Sequence, residues 1–324
     1  MKIRSVELGA LISVSAIALA GCGADESAGT PVSSAPSPSP SPSPSPSPSP
    51  SPTPTPTPSP TPTPTSGAQS PASFTTGANG LYAGHSFYVP VAQAFNISVQ
   101  RAVFEDHAFD AVFAAGGAGT AQSLWENEAR RAEIEARLAT GQVDLFGITV
   151  SQENEADPLE FYELWINLAH QYNPDTAILI GFPYTLGGAI RDTQTYADEI
   201  ASNSESTFAI IEELREAYSD TSIFYFNYGL VLSEMKKDFE AGELEDIVGL
   251  VAPSPAQLEG YLFADGGPSH AGPMAEHVCS LVWAYYLYGA DIEELVDPIY
   301  DREDVLRVAR DVIDYNERFL PDES

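Results

Sequence analysis

Basic residues are scarce in this sequence: 14 Lys and Arg stand against 46 Asp and Glu, for a formal charge of −32. A chain this acidic repels phosphate backbones and anionic membrane surfaces, which excludes nucleic acid as a partner. Three lysines occur, at Lys2, Lys236 and Lys237, and the acids are spread along the chain instead of gathered in a tail. That pattern reads as a solvated acidic surface. Cysteine is nearly absent, with Cys22 and Cys279 alone, so no disulfide framework can be built and Cys279 reads as a small buried apolar residue. Long apolar runs are missing too. The most extended one, residues 8–20, is too short to cross a membrane.

That run follows Lys2 and Arg4 and ends in small residues, the layout of a cleaved secretory signal. It closes Leu19-Ala20-Gly21-Cys22, which resembles the lipobox of bacterial lipoproteins. The resemblance implies cleavage before Cys22 and a thioether-linked diacylglycerol plus an acyl chain on that cysteine, a set of chains that anchors stably. The membrane is then a partner through the lipid on Cys22, and the expected address is the cell envelope. Gly23 in place of an aspartate, by resemblance to enteric sorting rules, implies the outer membrane if the source is Gram-negative.

From Pro36 to about Thr65 the chain alternates Ser-Pro and then Thr-Pro, a composition that buries nothing and favours extended polyproline II. At about 3.1 Å per residue it spans on the order of 90 Å. The expected organisation is residues 1–21 as lipoprotein signal, 22–73 as anchored cysteine plus disordered linker, and 74–324 as one globular domain. Within that domain, short Val/Ile/Phe-rich runs at 81–83, 111–115, 143–150, 177–182 and 222–226 each precede a helix-patterned stretch. Alternating strands and helices predict an α/β fold: a three-layer, flavodoxin-like parallel sheet with helices on both faces. Asp157, Pro158 and Glu160 form a capping signature for a helix whose Phe161, Leu164, Trp165 and Leu168 make one apolar stripe. A helix over 122–138 pairs Glu126 with Arg130 and Glu133 with Arg137, and further helices are expected over 274–288 and 302–319.

In such a sheet, ligands gather at the carboxyl ends of the strands. After the first run comes Gly84-His85-Ser86-Phe87, where Ser86 either caps a helix opening near Val89 or stands exposed as a nucleophile. After the second comes Gly116-Gly117-Ala118-Gly119, either a turn needing positive φ or an approach for backbone N–H groups to an oxyanion. After the third, Ser151, Gln152 or Asn154 could supply a side-chain donor. Late in the chain Asp265-Gly266-Gly267-Pro268-Ser269-His270 holds a histidine with an acid close by, an idle loop histidine or a general base. Aromatics near 182–184 and 224–228 read as core or as a sugar or acyl platform. His270 and His277 lack the His-Glu-x-x-His spacing of a helical metal site, so no metal and no cofactor are expected.

Over most of 81–289 this order of blocks resembles the SGNH (GDSL-like) hydrolases. The resemblance implies Ser86 as nucleophile, His270 as general base and Asp265 as its orienter. It implies an oxyanion hole of the Ser86 backbone N–H, a second-block glycine and a third-block asparagine. Gly117 is the chosen glycine, with Gly116 or Gly119 equally eligible, and Asn154 the chosen asparagine. Three departures stand out: His85 where the commonest motif has aspartate, Gly147-Ile148-Thr149 where Gly-x-Asn-Asp is expected, and Gly267 where Asp-x-x-His requires aspartate. The expectation is a surface-anchored serine esterase or deacetylase acting on a small acyl ester or an acylated glycan. The alternative is a non-catalytic lipoprotein that binds glycan or protein on the same fold.

Overall fold

The computed structural model of the chain describes residues 74–102, 104–149, 158–181, 186–295 and 300–317. Cys22, the linker, Asn154 and the capping residue Asp157 lie outside these. Contacts divide the chain into Met1–Thr61 and Pro62–Ser324, and all described residues belong to the second unit.

Five strands form its sheet: β1 (Asn79–Gly84), β2 (Ala108–Phe113), β3 (Leu145–Thr149), β4 (Ala177–Gly181) and β5 (Ile223–Phe226). They pair all-parallel in the order β2-β1-β3-β4-β5, the doubly wound order of flavodoxin-like sheets. Each coincides with one of the apolar runs. The physical reason is visible in β3 and β4, buried at every position, because a parallel sheet covered on both faces has no wet side.

Successive side chains of a strand point to opposite faces, and the apolar interior divides accordingly. Tyr82, Leu145, Leu179, Phe224 and Phe226 feed one core, with α1 (Val89–Ala102), α6 (Tyr228–Ala241), α7 (Pro273–Tyr288) and α9 (Arg302–Glu317). Leu81, Ala83, Phe146, Ile148, Ile178, Ile180 and Ile223 feed the other, under α2 (Ala121–Glu126), α3 (Glu128–Leu138) and α4 (Pro158–Tyr172). The 25-residue α5 (Thr193–Ala217) contributes Tyr196 and Ile200 to the first core and Ile211 and Leu214 to the second. A one-turn α8 (Ile292–Leu295) precedes α9. Of the two readings of the aromatics at 224–228, core or platform, core holds for Phe224 and Phe226 in β5 and for Tyr228 at the start of α6, all buried. Cys279 is buried within α7.

Two sequence expectations need correction. The stretch 122–138 is two helices, not one, because Asn127 leaves the helical backbone and its side chain accepts the Arg130 N–H as the cap of α3. The break redirects the charges: Glu126 accepts from Gln122 and Arg130 pairs with Glu133, while the expected Glu133–Arg137 pair forms at 3.4 Å. The second correction is an addition. A small parallel pair, β6 (Gly249–Val251) and β7 (Tyr261–Phe263), lies outside the main sheet, and Phe263 bridges antiparallel to Ala271. Strands of three residues carry too little periodicity to read in sequence.

The end of the sheet is shaped by Tyr88. Its fully buried ring crosses β1, β3 and β4, and its hydroxyl donates to the Leu179 carbonyl at 3.4 Å. A Cβ added at Gly84, Gly147 or Gly181 would collide with this ring or its hydroxyl. Gly84 and Gly181 at the ends of β1 and β4, with Gly147 in the middle of β3 between them, therefore make one slot for one tyrosine. Replacing Gly147 by alanine is expected to lower stability by about 2 kcal/mol, a typical overpacking cost. Urea unfolding should show the loss, and Tyr88→Phe in the same chain should recover part of it by removing the hydroxyl that the new methyl meets.

Candidate active site

Ser86 lies in the turn between β1 and α1. Two residues on, Tyr88 is lodged in its glycine slot, and the Tyr88 and Val89 N–H groups both close on the His85 carbonyl at 3.0 and 3.1 Å. The turn is braced from inside by His85, whose Nδ1 accepts the Phe87 N–H at 3.2 Å. Aspartate or asparagine does the same in an Asx turn, so the histidine found in place of aspartate supplies an equivalent acceptor. Burial lowers the His85 pKa to about 4, with His270 adding to the effect. The ring is neutral, and the hydrogen-bond pattern assigns its proton to Nε2.

The Ser86 hydroxyl does not cap α1. It lies 2.6 Å from His270 Nε2, across 184 residues of sequence. His270 Nδ1 in turn bonds Asp265 Oδ2, and the other oxygen of that carboxylate accepts the Ser269 N–H at 2.7 Å. Facing a carboxylate, Nδ1 carries the ring proton and Nε2 is the acceptor for the serine O–H. The ring is about one-fifth exposed, Asp265 one-third, and Ser86 is half-buried, so solvent reaches every member of the chain.

Asp265 sits five residues before His270 instead of three, and the loop conformation makes up the difference. Ser269 adopts φ +69°, the one non-glycine residue with positive φ among those described, and is almost fully buried. Its hydroxyl accepts the Ala189 N–H at 3.1 Å, and the Pro268 carbonyl accepts from Gly187. Beyond the histidine, the Ala264 N–H donates to the His270 carbonyl, and the Ala271 N–H donates to Tyr228 Oη at 2.8 Å. Gly267, where an aspartate was expected, faces open space. Phe87 stacks on the His270 ring at 4.3 Å between centroids and meets Tyr228 edge-on at 6.0 Å. Sequence reasoning named Phe87, Tyr228 and Ser269 only as members of the stretches 84–87, 224–228 and 265–270, and missed the contacts by which they hold the base.

The three further blocks are distributed unevenly. No acceptor among the described residues takes the Ser86 backbone N–H. Residues Gly116–Gly119 form a 3-10 turn after β2. Gly117, the chosen glycine, is exposed with nothing within 4 Å of where a Cβ would stand, whereas Gly119 is buried and a Cβ there would lie 2.7 Å from the His85 backbone N. Gly119 is thus the glycine that the turn brings against the serine segment. In the third block Thr149 is buried and its hydroxyl donates to the Ala83 carbonyl at 3.4 Å, which occupies it within the sheet. Ser151, Gln152 and Asn154 fall outside the described residues.

No family model and no curated protein matches the chain. Among solved structures, it is similar to a DUF4886 family protein from Bacteroides uniformis ATCC 8492, at 13% identity and a TM-score of 0.46, covering 74% of this chain and 96% of that one. It is also similar to BT4096, a gut microbial diltiazem-metabolizing enzyme, at 14% identity and a TM-score of 0.32. There the match covers 68% of this chain, and the chain spans about half (48%) of that protein.

The buried histidines give the domain an acid limit. In the unfolded chain His85 protonates near its ordinary 6.5, while in the fold it resists until about 4. Stability is therefore lost as pH falls from 6.5 to 4, by about 3 kcal/mol for this group. His107, also buried and lowered to about 4 by desolvation, adds to the same window. Thermal unfolding followed from pH 7 to 4 should show the decline, and His85→Asn, which keeps an acceptor for the Phe87 N–H, should flatten the share that His85 contributes.

Proposed function

We propose that this chain is a serine hydrolase of the SGNH type, cleaving carboxyl esters through an acyl-Ser86 intermediate. The observation that carries the reading is the unbroken chain from Ser86 Oγ to His270 Nε2 and from His270 Nδ1 to Asp265. Nucleophile, base and orienter within hydrogen-bond reach is the arrangement nucleophilic catalysis requires. Ser86 Oγ attacks the ester carbonyl carbon as its proton passes to His270 Nε2. The carbonyl electron pair moves onto oxygen, and the Ser86 backbone N–H and a donor from the Gly119 turn are the groups available to receive it. When the tetrahedral species collapses, the C–O bond to the alcohol breaks and His270 returns the proton to that alcohol. Water, deprotonated by the same ring, then attacks the acyl-Ser86 carbonyl, the bond from that carbon to Ser86 Oγ breaks, His270 returns the proton to Oγ, and the acid leaves. Asp265 holds the imidazole in the Nδ1–H tautomer throughout.

The same proposal extends to the address: signal 1–21, lipid on Cys22, tether through 73, and the hydrolase domain 74–324 held outside the cytoplasm to meet small acyl esters or acylated glycans. Its support is the Leu-Ala-Gly-Cys22 sequence and the Ser/Thr-Pro tract.

The domain from residue 70 onward should be labelled by a fluorophosphonate probe and should turn over p-nitrophenyl acetate. Ser86→Ala should abolish both. His270→Ala and Asp265→Asn should lower kcat by on the order of a thousand- to ten-thousandfold with the fold intact by circular dichroism. Absence of labelling in the folded wild type would leave the glycan- or protein-binding lipoprotein as the reading. In the full chain, Cys22→Ser should move the protein from the membrane fraction to the soluble one.

A further inference from the structure

Among the described residues four large apolar side chains are exposed: Ile97, Leu186, Ile190 and Val248. Two of the four, Leu186 at 38% and Ile190 at 78%, belong to one turn that follows β4 at the carboxyl end of the sheet. That turn is fastened to the loop carrying His270, through the Gly187 N–H on the Pro268 carbonyl at 3.4 Å and the Ala189 N–H on Ser269 Oγ at 3.1 Å. It is closed internally by the Ile190 and Arg191 N–H groups on the Gly187 carbonyl, at 3.0 and 3.1 Å, with Gly187 at φ +76°. Behind it Gly188 lies against buried Tyr196, and Arg191 pairs with Glu199. Ile190 is thus held exposed on a fixed turn, hydrogen-bonded one residue away from the base.

We propose that Leu186 and Ile190 form an apolar lip of the Ser86 site that selects neutral esters bearing an apolar chain of several carbons over acetyl esters. The inference rests on the serine-hydrolase reading and names its substrate class. An exposed isoleucine gains nothing from water, and a chain laid against it removes apolar surface from both partners, worth about fourfold in binding for each methylene fully buried. Charge acts in the same direction. At a net −32 the protein repels esters that carry a carboxylate of their own, so charge disfavours anionic esters while the apolar lip favours an uncharged chain.

The test measures kcat/KM of the domain from residue 70 for p-nitrophenyl acetate, butyrate and octanoate, and for acetate esters of ethanol and octanol, which separates a chain on the acyl side from one on the alcohol side. Wild type should favour the longer chain in one of the two series by on the order of tenfold. Ile190→Ser should remove most of that preference and Leu186→Ser part of it, while Val248→Ser, exposed elsewhere, should keep it. Equal preference in wild type and Ile190→Ser, with Ser86 labelled and acetate turned over, would overturn the lip and leave the hydrolase reading standing. Failure of the folded wild type to label or turn over any ester would overturn both.

Discussion

Tyr88 sets the position of everything at the candidate site. Its ring fills a slot that exists because β1, β3 and β4 each contain a glycine, and Ser86 stands two residues before it. With the ring locked across three strands, the turn that carries the serine has no room to shift. The Gly84 and Gly147 positions that look like motif remnants in the sequence are thereby explained by packing. Gly147 makes room for a phenol, and Thr149 two residues later is turned into the sheet. The third block therefore serves the architecture through 149, whatever the residues beyond it do.

Against this fixed turn, the other half of the site is a loop held by its own polar groups. The Asp265 carboxylate ties the Ser269 backbone with one oxygen and His270 with the other. A strained positive φ at Ser269 is retained because its hydroxyl and neighbouring carbonyl both receive N–H groups from the 187–190 turn. Tyr228 secures the far side at Ala271 and meets Phe87 at a near-right angle, and Phe87 in turn covers the imidazole. Serine, base and acid therefore come from two segments joined through two aromatic rings, an arrangement suited to holding the 2.6 Å hydrogen bond between Ser86 and His270.

Much of the fold was legible in the sequence because parallel strands buried on both faces must read as continuous apolar runs. β1 through β5 fall on the five that stand out. Helix ends were less legible. Asn127 splits α2 from α3 through one side-chain hydrogen bond, and no hydrophobic periodicity announces it. At the site, Ser86, His270 and Asp265 could be named from block order, yet the choice of Gly117 over Gly119 could not be made, since which glycine packs on His85 depends on how the 3-10 turn closes.

The sequence by itself determined the alternation of strand and helix, the excess of acidic residues, the Leu-Ala-Gly-Cys22 motif, and the spacing of the serine, histidine and aspartate blocks. These are local properties: period, composition and spacing carry them. Only the tertiary structure decided that an aspartate five residues from a histidine can orient it, that a histidine can brace the serine turn as an aspartate would, and that the turn bearing exposed Leu186 and Ile190 is hydrogen-bonded to the loop that carries the base. The first rests on a left-handed backbone at Ser269, the second on a side chain folding back onto an N–H two residues on, and the third on hydrogen bonds between segments about 80 residues apart, none of which is written in the order of the residues.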